Sequence, residues 1–452
     1  MYEGFLMTKN TIILGMGQTG YSVARHLSKK GEAFSVADSR QAPPLMEKFR
    51  ANFPDIKIRL GNFSAKELIG ADRLIVSPGL NLKQEAIAAA CAAGVEITGD
   101  IDIFSKDADA PIVAVTGSNG KSTVVSMLAK ILQADNKEFG LGGNLDGEQC
   151  RPALDLLGDE SVEFYILELS SFQLETTQSL NAYIAMILNL ADDHMDRYRD
   201  LDSYRSAKRK IFNGCLNVVV DRNDNESRYA ENLGVPVFYF DSMKYCKSDV
   251  GLCRDENDHW IKLGDKNVIR VKDLQINGKH NLNNALAAAT LGVALGCKSS
   301  SIANGLREFE GLDHRCQFIR CVRGVDFYND SKSTNVGSLL AGLRGFVQRK
   351  KKLILIAGGD GKRADFRQLT SSVSETCDEV ILIGSAAEEI SFCLDEKTKR
   401  TRAGDLEEAV LLASKAAEPS GVVLFSPGCA SFDMFSDFRH RGETYKKYVD
   451  QL

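Results

Sequence analysis

Residues 113–123 read VAVTGSNGKST: an apolar β-branched run, a glycine-rich turn, then a lysine and two hydroxyls. Each part suits a nucleoside triphosphate. Gly117 and Gly120, with Ser118 and Asn119 between them, let backbone N–H groups approach phosphate oxygens, and a helix starting there adds partial positive charge. Lys121 is placed to neutralise β- and γ-oxygens and the Ser122 hydroxyl to reach Mg2+, while Thr123 continues the first helical turn. The strict G-x-x-x-x-G-K-[ST] pattern requires glycine where this chain has Val115, so the match is to a shorter T-G-x-x-G-K-S form. A merely structural turn is the competing reading, and the strand-before, helix-after context weighs against it.

A magnesium–phosphate site also wants oxygen ligands. Glu168 stands between Leu167 and Leu169 at the end of an apolar run, where a charge must be paired or metal-bound. A satisfied buried glutamate and a ligand both fit. His194 lies among Asp192, Asp193 and Asp196 after another apolar run, as a structural histidine or as a metal or substrate contact. In DSYRSAKRKIF, with Ser203 read as the N-cap, Tyr204, Ala207, Lys208, Ile211 and Phe212 share one helical face, and Arg205 and Arg209 point away. Lys208 either snorkels out of that apolar stripe or aims inward at a site, where burial and cationic neighbours would lower its pKa.

An earlier glycine loop, LGMGQTG at 14–20, points elsewhere. Gly15, Gly17 and Gly20 followed by Asp38 after the next apolar run could serve an NAD-dependent oxidoreductase. That reading leaves the phosphate loop and everything after it unexplained, and difference spectra or dye displacement with NAD would decide it.

These residues sit on an alternation of short β-branched runs and helix-like stretches, which means parallel sheets wrapped by helices. TIILGMG, AFSVADS and DRLIVSPG open a first unit, with the helix EAIAAACAAG closed by Gly94. PIVAVTG, FYILELS and NAYIAMILNL belong to a second, and VDFYNDS, KLILIAGGDG, EVILIGS and GVVLFSPG to a third. The fold expected is α/β with three doubly wound domains: Rossmann-like over 1–99, P-loop ATPase-like over 100–311, and Rossmann-like over 312–452. Ligands of open parallel sheets sit beyond the carboxyl ends of strands. GSNGKST, SSFQ, ADDHMD, SKSTN, GGDGK and SPGCAS all come directly after apolar runs, so six strand ends could converge on one cleft, with domain closure completing it.

At 452 residues two or three domains are expected, and 44% hydrophobic with 26% charged residues is a soluble globular composition. A net charge of -5 argues against nucleic-acid binding. The one dense basic run, RKKK at 349–352, reads as the end of a surface helix. No apolar stretch approaches the roughly 20 residues of a membrane span, and MYEGFLMTKN does not read as a signal peptide. Eleven dispersed cysteines without a C-x-x-C pair fit reduced thiols in a cytoplasmic protein, and no membrane insertion is expected.

Taken in order, GMGQTG, SPG, VTGSNGKST, GGNLD, LELSSFQLE, DDHMDRY, YRSAK, GKHNLNNALAA, LDHR, NDSKSTN, GGDGK and SPGCASFD resemble the Mur ligases, the ATP-dependent amide-forming enzymes of peptidoglycan precursor synthesis. Within that family the pattern is most similar to the branch that adds D-glutamate to UDP-N-acetylmuramoyl-L-alanine. The resemblance implies small-molecule substrates only (that sugar nucleotide, D-glutamate and ATP) and a monomer. Lys121, Asn144, Ser170, His194 and Lys208 would then be catalytic. Ser122 and Glu168 would hold a first Mg2+; His194 and a Lys208 carbamylated by CO2 would hold a second, with Mn2+ able to substitute. His280, Asn281, Asn284, Arg315, Asp330 and Lys332 would complete the ATP pocket begun by residues 117–123. Gly15, Gly17, Gly20, Asp38, Ser39, Arg40, Ser77 and Gly79 would take the uridine diphosphate rather than NAD. Thr334, Lys362, Ser431 and Phe438 would take D-glutamate. Leu190-Ala191-Asp192 and Gly428 depart from the family's usual residues and put fine positioning in question. A sister ligase or a folylpolyglutamate synthetase-like enzyme using another amine is the neighbouring alternative. A non-catalytic nucleotide switch is the remote one, since a pure binder would not need both metal sites.

Overall fold

The computed structural model describes residues 9–145, 151–190, 197–243, 249–255, 258–276, 278–347, 351–362 and 364–452. Three sheets organise the chain. The first contains β1 (Thr11–Leu14), β2 (Phe34–Asp38), β3 (Ile58–Leu60), β4 (Arg73–Val76) and β5 (Glu96–Thr98), in the order β3-β2-β1-β4-β5. All its pairings are parallel, and the order reverses beside β1, which puts a ligand crevice at the carboxyl ends of β1 and β4.

The second sheet contains β6 (Ile112–Thr116), β7 (Phe139–Gly143), β8 (Phe164–Glu168), β9 (Ile184–Ile187), β10 (Asn217–Asp221), β11 (Val237–Asp241), β12 (Val250–Asp255), β13 (Asp258–Leu263) and β14 (Lys266–Arg270). Seven of these strands are parallel from β7 through β12; β13 and β14 extend the edge as antiparallel hairpins. Strand β6 lies between β8 and β9, fully buried, and runs straight into the phosphate loop.

These two sheets form one compact body with a continuous apolar core, in which Ile13, Val23 and Phe49 of the first join Phe104, Tyr165, Leu167 and Ile187. Polar links reinforce it. Ser22 donates to Asp155 at 2.6 Å, and Gln178 donates its backbone N–H to the Asp102 carboxylate at 2.9 Å.

The third sheet belongs to a second body and contains β15 (Gln317–Val322), β16 (Val325–Asn329), β17 (Leu353–Gly358), β18 (Glu379–Ile383), β19 (Arg400–Arg402) and β20 (Val422–Phe425). Its order is β15-β16-β20-β17-β18-β19, parallel except for the β15–β16 hairpin. That hairpin turns at Arg323 and Gly324, both at positive φ, the conformation a tight two-residue turn demands. Apolar clusters on both faces mark it as a doubly wound layer.

One local expectation needs correction. The helix bearing Lys208 starts at Leu201, and its N-cap is Asp200, whose carboxylate accepts from the Ser203 N–H at 2.8 Å; Ser203 is inside the first turn. Of the run RKKK, Arg349 and Lys350 fall outside the described residues. The preceding helix stops at Arg344; Lys351 pairs with Asp326 at 2.6 Å, and Lys352 donates to the Ala416 carbonyl on the way into β17. No helix among the described residues is long and apolar enough to cross a membrane.

Candidate active site

Strand β6 ends at Thr116 and the helix Lys121–Ala134 starts five residues later, with Gly120 as a left-handed N-cap. Gly117 has φ +154°, and a Cβ there would press on Leu188 and on the backbone of Asn189. The loop is therefore drawn tightly over the end of β9. Asn189 fixes it: its carbonyl accepts from the Ser118 N–H, its side-chain oxygen from the Asn119 N–H, and its amide donates to the Asn119 carbonyl, each at 2.9 Å. Lys121 folds back over the loop and donates to the carbonyls of Gly117 and Ser118 at 2.9 and 3.1 Å.

Beneath the loop, the Ser122 hydroxyl donates to Glu168 Oε2 at 2.6 Å and the Asn144 amide to Glu168 Oε1 at 3.1 Å. The first turn of the helix after β6 and the ends of β7 and β8 thus deliver a hydroxyl, an amide and a carboxylate to one point. Glu168 is nearly inaccessible, which resolves its odd place between two leucines: both its oxygens are engaged. Ser170, two residues on, caps the helix Ser171–Glu175 in a reciprocal box with Gln173.

Lys208 is 2% exposed and faces inward, the second of the two readings its helical stripe allowed. Its ammonium donates to the Thr116 hydroxyl at 3.2 Å and the Gly117 carbonyl at 2.9 Å, and lies 4.9 Å from the centre of the Tyr204 ring. The Tyr204 hydroxyl in turn meets Ser118 at 3.1 Å. Lys121, Ser122, Glu168, Asn144 and Lys208 are therefore gathered around one phosphate loop. His194 and the Ala191-Asp192 variant fall outside the described residues.

In the first sheet the loop after β1 is equally constrained. A Cβ at Gly20 would lie 1.9 Å from the Gly15 carbonyl oxygen, and one at Gly15 would strike Ser77. Asp38 accepts from the Met16 N–H at 2.7 Å and is gripped by Arg40 through two side-chain bonds of 2.9 and 2.7 Å. Burial alone would raise the Asp38 pKa, but the bonds from Arg40 and the backbone outweigh it and hold the carboxyl below the usual range. Asp38 thus shapes the loop and orients Arg40. Ser77 comes just after β4, and its buried hydroxyl has no hydrogen-bond partner among the described residues; Gly79 beside it has open space where a side chain would be.

The second body brings the remaining candidates to the carboxyl ends of β16, β17 and β20. Arg441, 0% exposed, organises them: it donates to the Ser331 hydroxyl and carbonyl and to the carbonyls of Cys429 and Ala430. Burial lowers its pKa to about 10, so it stays a cation at neutral pH. Ser331 donates to the Phe438 carbonyl, Gly428 to Ser333, and Asp360 exchanges two backbone bonds with Ala430. The loops carrying Thr334, Lys362, Ser431 and Phe438 are thereby tied to one another. Lys332 sits 4.0 Å over the Phe438 ring and Lys362, at φ +44°, 5.5 Å from the Phe432 ring.

Asp330 is buried, accepting from the Ser426 hydroxyl at 2.7 Å and from the Cys316 N–H at 3.1 Å, and burial pushes its pKa up to about 7. His280 begins the helix Lys279–Ala294; burial, then the Arg344 charge, lowers its pKa. The Asn284 amide reaches the Asn281 side chain at 3.4 Å. Arg441 and Asn189 were missed in the sequence. An arginine within HRGETYKKY looks like surface charge, and an asparagine after β9 carries no signal until the loop it clamps is seen.

Three Mur ligase domain families match most of the chain. Residues 9–99 match the Mur ligase MurD-like N-terminal domain, 115–292 the Mur ligase middle domain, and 314–429 the Mur ligase glutamate ligase domain. The chain is 43% identical over 442 residues to the UDP-N-acetylmuramoylalanine--D-glutamate ligase of Pseudomonas fluorescens, covering 98% of each. It is 43% identical over 444 residues to the protein of that name from Marinobacter nauticus, again with 98% of each covered. Among solved structures, the fold is similar to a pseudomurein peptide ligase type C from Methanothermus fervidus (TM-score 0.63, 19% identity, 98% of this chain and 99% of that one). It is also similar to UDP-N-acetylmuramate-alanine ligase MurC from Thermotoga maritima (TM-score 0.62, 20% identity, 98% and 100%).

Proposed function

For a chain that belongs to the Mur ligase family, we propose joining of D-glutamate to UDP-N-acetylmuramoyl-L-alanine, with ATP converted to ADP and phosphate. The observation that carries this reading is the gathering of Lys121, the Ser122–Glu168–Asn144 cluster and Lys208 around a single phosphate loop. The names of the full-length relatives and the Lys362 loop favour D-glutamate over another amine.

A carboxylate is a poor acyl donor, so the reaction must first give it a leaving group. A carboxylate oxygen of the sugar-nucleotide substrate attacks the γ-phosphorus of ATP; the new P–O bond forms as the bond to the ADP oxygen breaks. The D-glutamate amine, once deprotonated, attacks the resulting acyl phosphate carbon. The tetrahedral species then expels phosphate and leaves the amide. Positioning and charge neutralisation are the protein's tasks.

Lys121 would exchange the two loop carbonyls it now holds for phosphate oxygens. Ser122 and Glu168 fit a divalent cation, being a hydroxyl and a carboxylate already 2.6 Å apart at the end of a phosphate loop. His194 with Lys208 as its carbamate would hold a second ion, Mg2+ or Mn2+. These ions would supply neutralisation of the transferring phosphoryl group. Asn144 and Ser170 stand next to Glu168 in space or sequence and would orient the reacting groups. Gly15, Gly17, Gly20, Ser77 and Gly79, with Ser39 and Arg40, would receive the uridine diphosphate; the Ser77 hydroxyl, without a partner among the described residues, supports this. His280, Asn281, Asn284, Arg315, Asp330 and Lys332 would serve ATP. Thr334, Lys362, Ser431 and Phe438 would bind the two carboxylates of D-glutamate.

Oxygen transfer tests this chemistry. With 18O in the carboxylate of UDP-N-acetylmuramoyl-L-alanine, one label per turnover should appear in inorganic phosphate. Unlabelled phosphate alongside amide product would exclude the acyl phosphate.

A further inference from the structure

Arg197 is heavily engaged outside the site described above. Its guanidinium, 9% exposed, donates from Nη1 to the Pro78 carbonyl and from Nη2 to the Leu80 carbonyl, both at 2.9 Å. Nε and Nη2 also grip the two oxygens of Glu175 at 3.2 and 2.5 Å, and the group stacks 4.2 Å above the Phe172 ring. One cation thus spans the loop after β4, in the first sheet, and the helix Ser171–Glu175, in the second.

Each partner leads to a different half of the reaction. Residues 77–80 form a turn closed by the Leu80 N–H on the Ser77 carbonyl, beside the Gly15 loop. A trans peptide is planar, with its C=O and the following N–H pointing opposite ways. Holding the Pro78 and Leu80 carbonyls toward Arg197 therefore turns the Gly79 and Asn81 N–H groups away from it. Neither N–H donates to another described residue. On the other side, Glu175 ends the helix whose N-cap Ser170 lies two residues after Glu168. Phe172 stacks on Tyr198, Tyr198 meets Tyr204 edge-on, and Tyr204 packs under Lys208.

We infer that Arg197 is a positioning residue: it sets the 77–80 loop for the sugar nucleotide and registers that loop against the helix beside Glu168. This rests on the proposed use of the 77–80 loop for a uridine diphosphate. A merely structural ion pair would lower stability without separating one substrate from another. A positioning role weakens the sugar nucleotide and spares ATP.

The test is steady-state phosphate release by full-length Arg197→Lys and Glu175→Gln, alongside melting temperatures. Lysine keeps the charge but cannot hold two carbonyls and a carboxylate in one plane. Both variants should raise KM for UDP-N-acetylmuramoyl-L-alanine about tenfold and leave KM for ATP within about twofold. Arg197→Lys should fold with a melting temperature close to wild type; if it does not, Glu175→Gln carries the comparison with Arg197 intact. Equal rises in both KM values, or no rise in either, would overturn the inference while wild-type turnover left the proposed function standing. Wild-type protein with no sugar-nucleotide-dependent turnover would overturn both.

Discussion

The Ser122 hydroxyl and the Glu168 carboxylate meet at 2.6 Å, although 46 residues separate them in the chain. Parallel pairing of β6 with β8 makes this meeting, because Val115 stands opposite Glu168 and the phosphate loop starts one residue beyond Thr116. If that pair holds a divalent cation, Glu168→Gln keeps the shape and removes the charge. Turnover should fall by about a hundredfold or more, and excess Mg2+ should recover only part of it. An unchanged Mg2+ dependence in phosphate release would assign Glu168 to the core alone.

Lys208 is buried against Thr116 and Gly117, so its removal also leaves a space beside the loop. Lys208→Ala should abolish ligation, and added bicarbonate should not restore it because no amine remains to be carbamylated. Acetate or formate should bring back a measurable fraction by supplying the missing carboxylate. Full activity in the variant would remove the carbamate from the account.

Two glycines three residues apart make a paired test of the first loop. A Cβ at Gly20 collides with the Gly15 carbonyl, whereas one at Gly17 meets nothing within 4 Å. Gly20→Ala should destabilise the protein by about 3 kcal/mol, as severe overpacking does. Gly17→Ala should leave the melting temperature nearly unchanged while raising KM for the sugar nucleotide, since its open side would face the phosphates. Thermal melts with substrate titrations read both effects.

Asp330 ties stability to pH in a defined direction. Burial raises its folded pKa from 3.8 to about 7, against the opposing influence of Ser426, the Cys316 N–H and the charges of Arg315 and Arg441. Between about pH 4 and 7 the folded form keeps a proton that the unfolded form has released, so stability falls as pH rises through that window. Asp330→Asn cannot ionise and should flatten that part of the profile. Urea unfolding of the second body across the range, tracked by a probe placed there, is the check; a slope that survives the substitution would place the proton elsewhere.

Much of the fold and site was legible in the residues because the chemistry lies at strand ends. VAVTG, YILEL and LILIA each announce a buried parallel strand, and the loop beyond each strand is one the fold must present. Helical spacing placed Lys208 on the apolar stripe but left snorkelling and inward readings open; its bonds to Thr116 and Gly117 decide between them. The hairpins β12–β14 and β15–β16 were not foreseen, although Gly264 and Arg323-Gly324 mark their turns; their strands are half-polar and lack the long apolar runs of the parallel core. Asn189, Arg197 and Arg441 were not foreseen as organisers either. Each works by holding backbone carbonyls or amides of distant loops, and a backbone partner leaves no trace in residue type.

The most direct measurement is ATP-dependent phosphate release with UDP-N-acetylmuramoyl-L-alanine and Mg2+, supplying D-glutamate, L-glutamate, L-lysine or D-alanyl-D-alanine in parallel. Turnover with D-glutamate alone is the expected result. Turnover with another amine and none with D-glutamate would contradict it, leaving the fold and the phosphate site in place and removing the reading of the Lys362 pocket.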